Sequence, residues 1–360
     1  MSGAPILVTG GAGFIGSNIA DRLAAEGHRV IVYDALLRPG VETNLAWLKQ
    51  SHPGRIVEVI ADIRDRRELA RAVREAGAVF HMAAQVAVTT SLADPREDFE
   101  VNVLGTLNLL EAVRESGRRI PLVFASTNKV YGDLGDLAFT RTARGYVPAD
   151  PAIRANGIGE DRPLDFHTPY GCSKGAADQY VLDHARSFGL PTAVLRMSCI
   201  YGQRQMGTED QGWVAHFLIR ALEGQPVTIY GDGYQVRDIL DVSNAVEAYL
   251  AAWRRIDRVA GRAFNLGGGP GNAVSLVTLL DHIASLVERD VACDNAEWRA
   301  GDQRYFVADT GAAQQELALG PKVPWRRGVA RLAQWLAEQR GITLPNEEPR
   351  VVPLRTAAAL

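Results

Sequence analysis

The chain has 360 residues, of which 47% are hydrophobic and 22% charged, and its formal net charge is −3. This composition is typical of a globular protein in water, and the small net charge gives no reason to expect nucleic acid or an anionic membrane as a partner. No apolar run is long enough to span a bilayer, and the N-terminus lacks a signal-peptide pattern. The three scattered cysteines favour a reducing cytoplasm and indicate neither a disulfide framework nor a metal site.

The first patterned segment runs as strand, glycine turn, helix, strand and acid. Residues 6–9 predict a short buried strand, residues 17–26 a helix and residues 29–33 a second strand. Glycines between strand and helix let the backbone approach a pyrophosphate, and the helix N-terminus adds amide donors and a positive dipole end. The order of these elements therefore predicts a dinucleotide site. The cofactor-binding residues expected here are Gly10, Gly13, Phe14, Ile15, Gly16 and Asp34.

Asp34 bears on the choice of cofactor. Its carboxylate can accept hydrogen bonds from the adenosine ribose hydroxyls and would repel a 2′-phosphate, so NAD is favoured over NADP. Arg38 lies nearby in the sequence and is a caution against this choice, but we interpret it as a loop residue.

The chain then alternates between strands (55–60, 78–85 with a terminal turn, 121–125 and 190–197) and helices (66–76, 97–116 and 174–188). This alternation predicts an α/β fold with a Rossmann-type, doubly wound parallel sheet, whose ligands bind at the carboxyl ends of the strands. Residues 132–169 show little periodicity and predict a long loop that acts as a lid or an insertion. His81 lies inside a predicted strand, so we interpret it as a core residue.

Tyr170 and Lys174 are four residues apart, and a helix that begins near Pro169 would place both side chains on one face. A phenol ionises near pH ~10, and a nearby ammonium group lowers that pKa. The pair is therefore predicted to act as a general base near neutral pH. The spacing alone is weak evidence, because a Tyr and a Lys so placed are usually just a solvated helix face.

Five stretches carry a family resemblance: the Gly-x-x-Gly-x-x-Gly turn, 126–133, 169–180, 196–202 and 207–213. They resemble the NAD-dependent epimerase/dehydratase family of extended short-chain dehydrogenases/reductases, and the similarity covers nearly the whole chain. The resemblance implies that Thr127, Tyr170 and Lys174 form one acid–base system beside a nicotinamide. Further cofactor contacts are expected from Asp62, Ile63, Ala83, Ala84, Gln85 and Asn102, and also from Tyr170 and Lys174, the latter holding the nicotinamide ribose.

The resemblance also implies a substrate side. Asn128 and Lys129 stand where the 4,6-dehydratases of this family have the Asp and Glu that eliminate water, so net dehydration is not expected. Cys199 replaces the family's usual Asn, which leaves its role open. Two arginines match positions that neutralise a diphosphate, a task for which Arg is suited. The substrate-binding residues expected are Thr127, Asn128, Lys129, Cys199, Arg204, Arg237 and Arg299.

The expected function is that of a nucleotide-sugar epimerase that recycles tightly bound NAD, acting on carbon 2 of a CDP-hexose. A UDP-sugar 4-epimerase and a specialised nucleotide-sugar dehydratase are the enzymatic alternatives, since motifs do not fix how the hexose rotates. A non-catalytic nucleotide-binding sensor is the alternative from another class, and the intact Thr127, Tyr170 and Lys174 argue against it.

The chain is expected to divide into an NAD-binding domain over residues 1–195, a smaller α/β region over 196–343 that mainly binds the nucleotide sugar, and a flexible tail over 344–360. Some segments of the second region are expected to return to the first. The helices over 97–116 and 174–188 are predicted to pair across a two-fold axis in a homodimer, or in a dimer of dimers.

Overall fold

The computed structural model of the chain describes residues 3–344. The expected tail falls outside that range apart from Leu344, which packs against the C-terminal core. The strands are β1 Ile6–Thr9, β2 Val30–Asp34, β3 Ile56–Ile60, β4 Ala78–His81, β5 Leu122–Thr127, β6 Phe139–Thr142, β7 Gly145–Pro148, β8 Thr192–Met197, β9 Cys199–Tyr201, β10 Val227–Tyr230, β11 Val236–Asp241, β12 Arg262–Leu266, β13 Ala273–Ser275, β14 Cys293–Ala296 and β15 Tyr305–Phe306.

The α-helices are α1 Phe14–Ala25, α2 Val41–Ser51, α3 Arg66–Glu75, α4 Val88–Ala93, α5 Pro95–Phe99, α6 Gly105–Glu115, α7 Pro151–Asn156, α8 Thr168–Phe188, α9 Trp213–Glu223, α10 Val242–Arg254, α11 Ile256–Val259, α12 Leu276–Val287, α13 Gly311–Leu317 and α14 Trp325–Arg340. A π-helical turn occupies Glu100–Leu104, and 3-10 turns occupy Asn128–Tyr131 and Pro270–Asn272. Within residues 3–344, no helix is both long enough and apolar enough to cross a bilayer.

The central sheet has seven strands in the order β12-β8-β5-β4-β1-β2-β3, and every neighbouring pair is parallel. The strand order reverses between β1 and β4, so the crevice beyond their carboxyl ends is the expected ligand site. Apolar side chains of α1 and α10 cover one face of the sheet, and those of α3, α6 and α8 cover the other. The predicted doubly wound parallel sheet is confirmed.

The second half of the chain builds a smaller unit with its own apolar core from α9, α12 and α14. In it, β11 pairs with β9, β13 and β15, while β10 pairs with β14. The chain also returns to the large sheet, because β12 forms its edge beside β8 and α10 packs on the same face as α1. This return ties the smaller unit to the edge and one face of the central sheet.

Three local predictions were wrong in part. The helix expected over 97–116 is interrupted by the π turn that carries Asn102, whose carbonyl accepts a hydrogen bond from the Thr106 hydroxyl at 2.6 Å. The long loop expected over 132–169 contains the hairpin β6–β7 and the short helix α7, which Asp150 caps by accepting from two backbone amides. The helix expected over 174–188 is α8, which begins earlier, at Thr168. This start agrees with the separate expectation that a helix begins near Pro169.

Candidate active site

The glycine turn between β1 and α1 is built for close backbone approach. Gly10 has φ +66°, and a Cβ placed there would lie 2.6 Å from the Ala83 backbone nitrogen. A Cβ on Gly16 would lie 2.1 Å from the Gly10 carbonyl oxygen. Any side chain at either position would therefore fill the space beside the turn or displace the turn itself. Gly13 precedes the first residue of α1 and no side chain caps the helix there, so its N-terminal amides can donate to an anion.

Asp34 ends β2 beside this turn. Its carboxylate accepts hydrogen bonds from the Ala12 and Leu36 backbone amides at 3.0 Å and 2.9 Å. The side chain therefore braces the glycine turn and still lines the cleft, as the sequence predicted. Arg38 lines the same cleft, so its loop lies closer to the adenosine end than the sequence indicated.

The other predicted cofactor residues fall into two groups. Asp62, Ile63, Ala83 and Ala84 line the cleft. Gln85 and Asn102 lie behind it, where the Asn102 amide accepts from the Gln85 backbone N–H at 2.9 Å and donates to its carbonyl at 3.1 Å. This second group supports the wall of the cleft, and the π turn is what aims Asn102 at the loop after β4.

The cleft itself has a volume of about 370 Å³, within the range of small-molecule sites. It runs from the glycine turn to the first residues of β9 and α9. Thr127, Tyr170 and Lys174 line its middle. Thr127 ends β5, and the other two lie on successive turns of α8, so the sheet and one helix bring together the three candidate catalytic side chains.

Burial dominates the electrostatics of these groups. It raises the pKa of Tyr170 to about 12, although the neighbouring Thr127 hydroxyl acts to lower it by hydrogen bonding. It lowers the pKa of Lys174 to about 7, against the charges of Asp178 and Asp98. Lys174 is not among the groups that shift the pKa of Tyr170, so the prediction that it lowers that pKa is not met in this structure. A buried lysine that has lost its proton by the pH at which the phenol ionises carries no charge to stabilise the phenolate.

Lys174 is only 4% exposed, and its ammonium lies 4.2 Å from the centroid of the Phe124 ring. Below the site, Arg196 pairs with Asp178 through two hydrogen bonds of 3.0 Å each, and Ser126 donates to the same carboxylate at 2.7 Å. This fully buried pair ties α8 to β5 and β8, which fixes the helix that carries Tyr170.

His81 is completely buried, as the core interpretation requires. Its two ring nitrogens hydrogen-bond with the Thr9 and Thr106 hydroxyls at 2.7 Å and 2.9 Å. Burial, helped by the charge of Lys174, lowers its pKa to about 3, so the ring stays neutral throughout the physiological range. Its role here is to join β1, β4 and α6 beneath the cofactor side of the cleft.

The predicted substrate residues Arg237 and Lys129 are not among those that line the cleft, and both lie against the carboxylate of Asp302. The Asp302 carboxylate accepts from Arg237 at 2.6 Å and lies 3.7 Å from the Lys129 ammonium, which donates to the Gly301 carbonyl at 2.9 Å. The two cations lower the pKa of Asp302 despite its burial. This cluster carries two positive charges and one negative charge, an excess suited to a diphosphate.

The remaining predicted substrate residues differ in position. Cys199 lines the cleft, and burial raises the pKa of its thiol. Arg299 stacks over the Tyr230 ring at 3.8 Å and lies 3.6 Å from Asp210. Arg204 is not part of the cleft wall, because its guanidinium lies 3.8 Å over the ring of Trp47 on α2. The Asn128 amide also turns away from the cleft, toward Gln303 at 3.0 Å.

The sequence profile of the NAD dependent epimerase/dehydratase family matches residues 6–267. The chain belongs to this family. CDP-paratose 2-epimerase from Salmonella typhi is 43% identical over 337 residues, which cover 92% of this chain and 98% of that protein. Family membership confirms that the protein is an enzyme of the nucleotide-sugar epimerase/dehydratase class and that its cofactor is NAD.

Two solved structures of UDP-glucose 4-epimerases share the fold of this family member. The enzyme of Thermus thermophilus in complex with NAD has a TM-score of 0.78 at 32% identity, covering 92% of this chain and 98% of that chain. The enzyme of Thermotoga maritima with UDP-glucose has a TM-score of 0.79 at 30% identity, covering 93% of this chain and 99% of that chain.

The residues present fit NAD. The glycine turn leaves no room for a Cβ at Gly10 or Gly16, and the N-terminus of α1 faces the same space. Asp34 lies where its acceptor oxygens suit ribose hydroxyls. Tyr170 and Lys174 line the same cleft as the glycine turn.

Sequence reasoning missed several residues that shape the substrate end. Gln205, Gln211 and Trp213 line the cleft, although the stretch 207–213 was singled out only as diagnostic of the family. Gln303 is fully buried and Asp302 half-buried against the turn after β5, and no local pattern distinguishes them from surface residues. Their contacts span more than 170 positions in sequence, so only the folded chain shows them.

Proposed function

We propose that the protein is a nucleotide-sugar 2-epimerase that converts a CDP-hexose of the CDP-paratose type into its carbon-2 epimer. The observation that carries the proposal is that Thr127, Tyr170 and Lys174 line one cleft. The two residues after Thr127, Asn128 and Lys129, are not the Asp and Glu that a dehydratase uses to eliminate water. The similarity to the Salmonella CDP-paratose 2-epimerase supports the choice of carbon and base.

In this proposal Tyr170 exchanges a proton with the reacting sugar hydroxyl, and Thr127 holds that hydroxyl in place. Bound NAD would supply the chemistry of accepting and returning a hydride, and its positively charged ring would favour the phenolate of Tyr170. Lys174 would bind the nicotinamide ribose. The cofactor is regenerated in each cycle, so the enzyme needs no added oxidant.

Elimination of water is not supported by the substrate end. The Asn128 amide is bonded to Gln303, and the Lys129 ammonium is bonded to Gly301 and lies near Asp302. Neither side chain presents a carboxylic acid to the sugar, and burial lowers the pKa of Lys129. A dehydratase would need an acid from another element of the cleft.

The Arg237–Asp302–Lys129 cluster is proposed to bind the diphosphate, with Arg299 as a second contact. An incoming diphosphate can replace part of the Asp302 contact, since Arg237 has five N–H donors and uses only some of them in these bonds. The Arg237 guanidinium would then stay paired with an anion, either Asp302 or the diphosphate, while the substrate binds. Because this binding depends on charge, the affinity for the substrate should fall as the salt concentration rises.

The test is a panel of nucleotide sugars incubated with purified protein without added cofactor. CDP-paratose, UDP-glucose and GDP-mannose would each be followed by NMR. Inversion at carbon 2 of the CDP-sugar is the expected result. Inversion of UDP-glucose at carbon 4 alone would establish the 4-epimerase alternative, and no turnover with unchanged nucleotide binding would favour the sensor.

We also infer a homodimer in the cytoplasm. Exposed apolar side chains cluster on the packed helices α4, α5, α8 and the π turn: Leu92, Phe99, Leu104, Tyr180 and Phe188. Burying this face against a second copy would remove them from water. Free thiols at Cys172, Cys199 and Cys293 suit a reducing compartment. Light scattering at micromolar concentration should give about twice the chain mass of 39.1 kDa, and a monomer would contradict the dimer.

A further inference from the structure

The segment that follows β9, residues 203–206, is joined to the N-terminal part of the chain by two asparagines. The first is Asn18 on α1. Its Nδ2 donates to the Phe14 carbonyl at 2.8 Å and to the Gln203 carbonyl at 3.1 Å. Because Phe14 is the first residue of α1, this side chain ties the segment to the helix start that follows the glycine turn.

Asn44 on α2 repeats the pattern one residue further along the segment. Its Nδ2 donates to the Ala12 carbonyl in the glycine turn at 3.1 Å and to the Arg204 carbonyl at 3.2 Å. A carbonyl can only accept, so the NH₂ group of Asn44 is fixed between these two oxygens. The Asn44 side-chain oxygen finds no donor among residues 3–344, although the residue is completely buried. An unpaired buried acceptor is unfavourable, so the two carbonyls set the position of this amide.

The Arg204 side chain makes a third connection, which reaches both parts of the molecule. Its guanidinium lies 3.8 Å from the centroid of the Trp47 ring on α2 and 5.5 Å from that of the Trp335 ring on α14. A guanidinium over an aromatic face is attracted to it within about 6 Å. Arg204 has φ +72°, which a residue with a Cβ adopts only where its surroundings hold it there. The two rings and the two asparagines are the surroundings that do so.

The same segment forms part of the cleft wall. Gln205 lines the cleft and is only 7% exposed. A Cβ on Gly212 would lie 2.7 Å from Gln205 Nε2, so the segment packs directly against the part of the wall that Gly212 and Trp213 continue. The glycine turn lines the same cleft. The three connections therefore hold one wall of the cleft against the turn that would cradle the dinucleotide.

We call the connected residues the clasp: 203–206, Asn18, Asn44, Trp47 and Trp335. We propose that the clasp, with Arg204 at its centre, retains NAD by keeping the cleft closed beside the glycine turn. A wall that moves away from the turn would let the dinucleotide leave, and the clasp opposes that movement. Arg204 is thus a positioning residue that acts on the cofactor through the cleft wall, without lining the cleft. The proposal rests on NAD as the cofactor and not on which sugar reacts.

The exchange of bound NAD measures the clasp directly. Protein loaded with NAD is mixed with excess radiolabelled NAD, and the label on the protein is followed by gel filtration. Wild type should exchange slowly. Arg204→Ala should exchange roughly fivefold to thirtyfold faster, the factor that a desolvated cation–π contact contributes. Arg326→Ala is the matched control, because the Arg326 guanidinium also lies over a tryptophan, 4.3 Å from the Trp325 centroid, and is not part of the clasp or the cleft wall. Its exchange rate should equal that of wild type.

Three results would overturn the proposal. One is an unchanged exchange rate in Arg204→Ala, and another is an equal acceleration in the Arg326→Ala control. The third is a loss of CDP affinity in Arg204→Ala with NAD exchange unaltered, which would return Arg204 to the substrate, as the sequence predicted. Arg204→Lys keeps the positive charge, so its exchange rate should lie between those of wild type and Arg204→Ala. Exchange as fast as in Arg204→Ala would contradict the cation–π contact.

Trypsin gives a readout that needs no cofactor assay. Trypsin cuts after arginine, and Arg204 offers that bond only when the clasp opens, because its carbonyl and its side chain are both engaged. Trp47→Leu keeps Arg204 and frees one side of its guanidinium. Cleavage after Arg204 should then accelerate relative to cleavage after Arg118, an exposed residue in the loop before β5, and mass spectrometry of the fragments measures both. Equal ratios in wild type and Trp47→Leu would overturn the clasp.

A purely structural role for Arg204 predicts a different pattern. The unfolding temperature of Arg204→Ala would fall, while NAD exchange measured well below that temperature would keep the wild-type rate. A double-mutant cycle adds a criterion: Arg204→Ala should accelerate exchange less in a Trp47→Leu background than in wild type, because the main contact is already gone. Full additivity would contradict the clasp. If the enzyme fails to turn over CDP-paratose, the proposed function fails, and NAD exchange, which needs no sugar, still decides the clasp.

Discussion

The two ends of the cleft are built by different means. The cofactor end is mainly backbone, a glycine turn and a helix N-terminus, which the Asp34 carboxylate braces. All of it lies within the first 34 residues. The proposed substrate end is made of side chains from distant segments, with Lys129, Arg237 and Asp302 held by one another. A backbone cradle tolerates no added atom, whereas a paired charge cluster can exchange one partner for another. Substitutions at the two ends should therefore fail in different ways.

The largest effect is expected where the two ends meet. Tyr170→Phe removes the hydroxyl that exchanges the proton and leaves the ring in place, so kcat should fall by roughly 10³-fold, within the usual range for a general acid–base group. Both NAD content and CDP affinity should stay at wild-type levels. Loss of bound NAD in this variant would show that Tyr170 belongs to the cofactor end.

Adding a single methyl group to the glycine turn should weaken the binding of NAD. In Gly16→Ala the new Cβ would lie 2.1 Å from the Gly10 carbonyl oxygen, so the turn must move. Overpacking of this kind costs about 1–3 kcal/mol, which corresponds to a loss of NAD affinity of about fivefold to 150-fold. The amount of NAD that stays bound is measured from the absorbance of the NAD released when the protein is denatured. Gly271→Ala is the control, because a Cβ there meets nothing within 4 Å.

Removing one charge from the Arg237–Asp302–Lys129 cluster should reduce nucleotide affinity without abolishing it. Arg237→Gln removes one charged donor from the cluster, and bonds to charged groups contribute about 1.5–3 kcal/mol, so CDP affinity should fall by about tenfold or more. Calorimetry with CDP measures this, and NAD content should not change. Arg254→Gln, which removes an exposed Arg paired with Glu26, is the matched control. Equal losses in the two variants would contradict a diphosphate role for Arg237.

The smallest effect is on stability. Because burial lowers the folded-state pKa of Lys174 to about 7, the folded protein binds its proton less tightly than the unfolded chain does, whose Lys pKa is ~10.4. This cost is full below pH ~7 and vanishes as the pH rises toward ~10.4. Lys174→Met should therefore raise the unfolding temperature at pH 7 and lose that advantage by pH 10. A pH-independent difference would show that Lys174 is charged in the folded state.

The sequence predicted the elements at the cofactor end of the cleft because the information that determines them is local. Strand, glycine turn, helix and acid follow one another directly, so Gly10, Gly13, Gly16 and Asp34 could be named before the fold was known. The seven-stranded parallel sheet follows from the same alternation. Tyr170 and Lys174 could be paired because four residues make one helical turn.

The substrate end was harder because its geometry is made by long-range packing. The sequence does not show that Asp302 lies between Arg237 and Lys129, or that Gln303 turns the Asn128 amide from the cleft. The pKa of Tyr170 was also misjudged, since the argument from Lys174 ignored how far burial lowers the pKa of that lysine. Arg204 shows the same limit, because stacking on Trp47 removes it from the cleft wall.

The most direct test of the central claim is epimerisation of CDP-paratose in heavy water by enzyme that receives no added NAD. Removal and return of hydrogen at one carbon predicts inversion at carbon 2 with no deuterium in the sugar. Deuterium at carbon 2 or at a carbon beside it would mean exchange with solvent through enolisation or elimination, and would contradict the account.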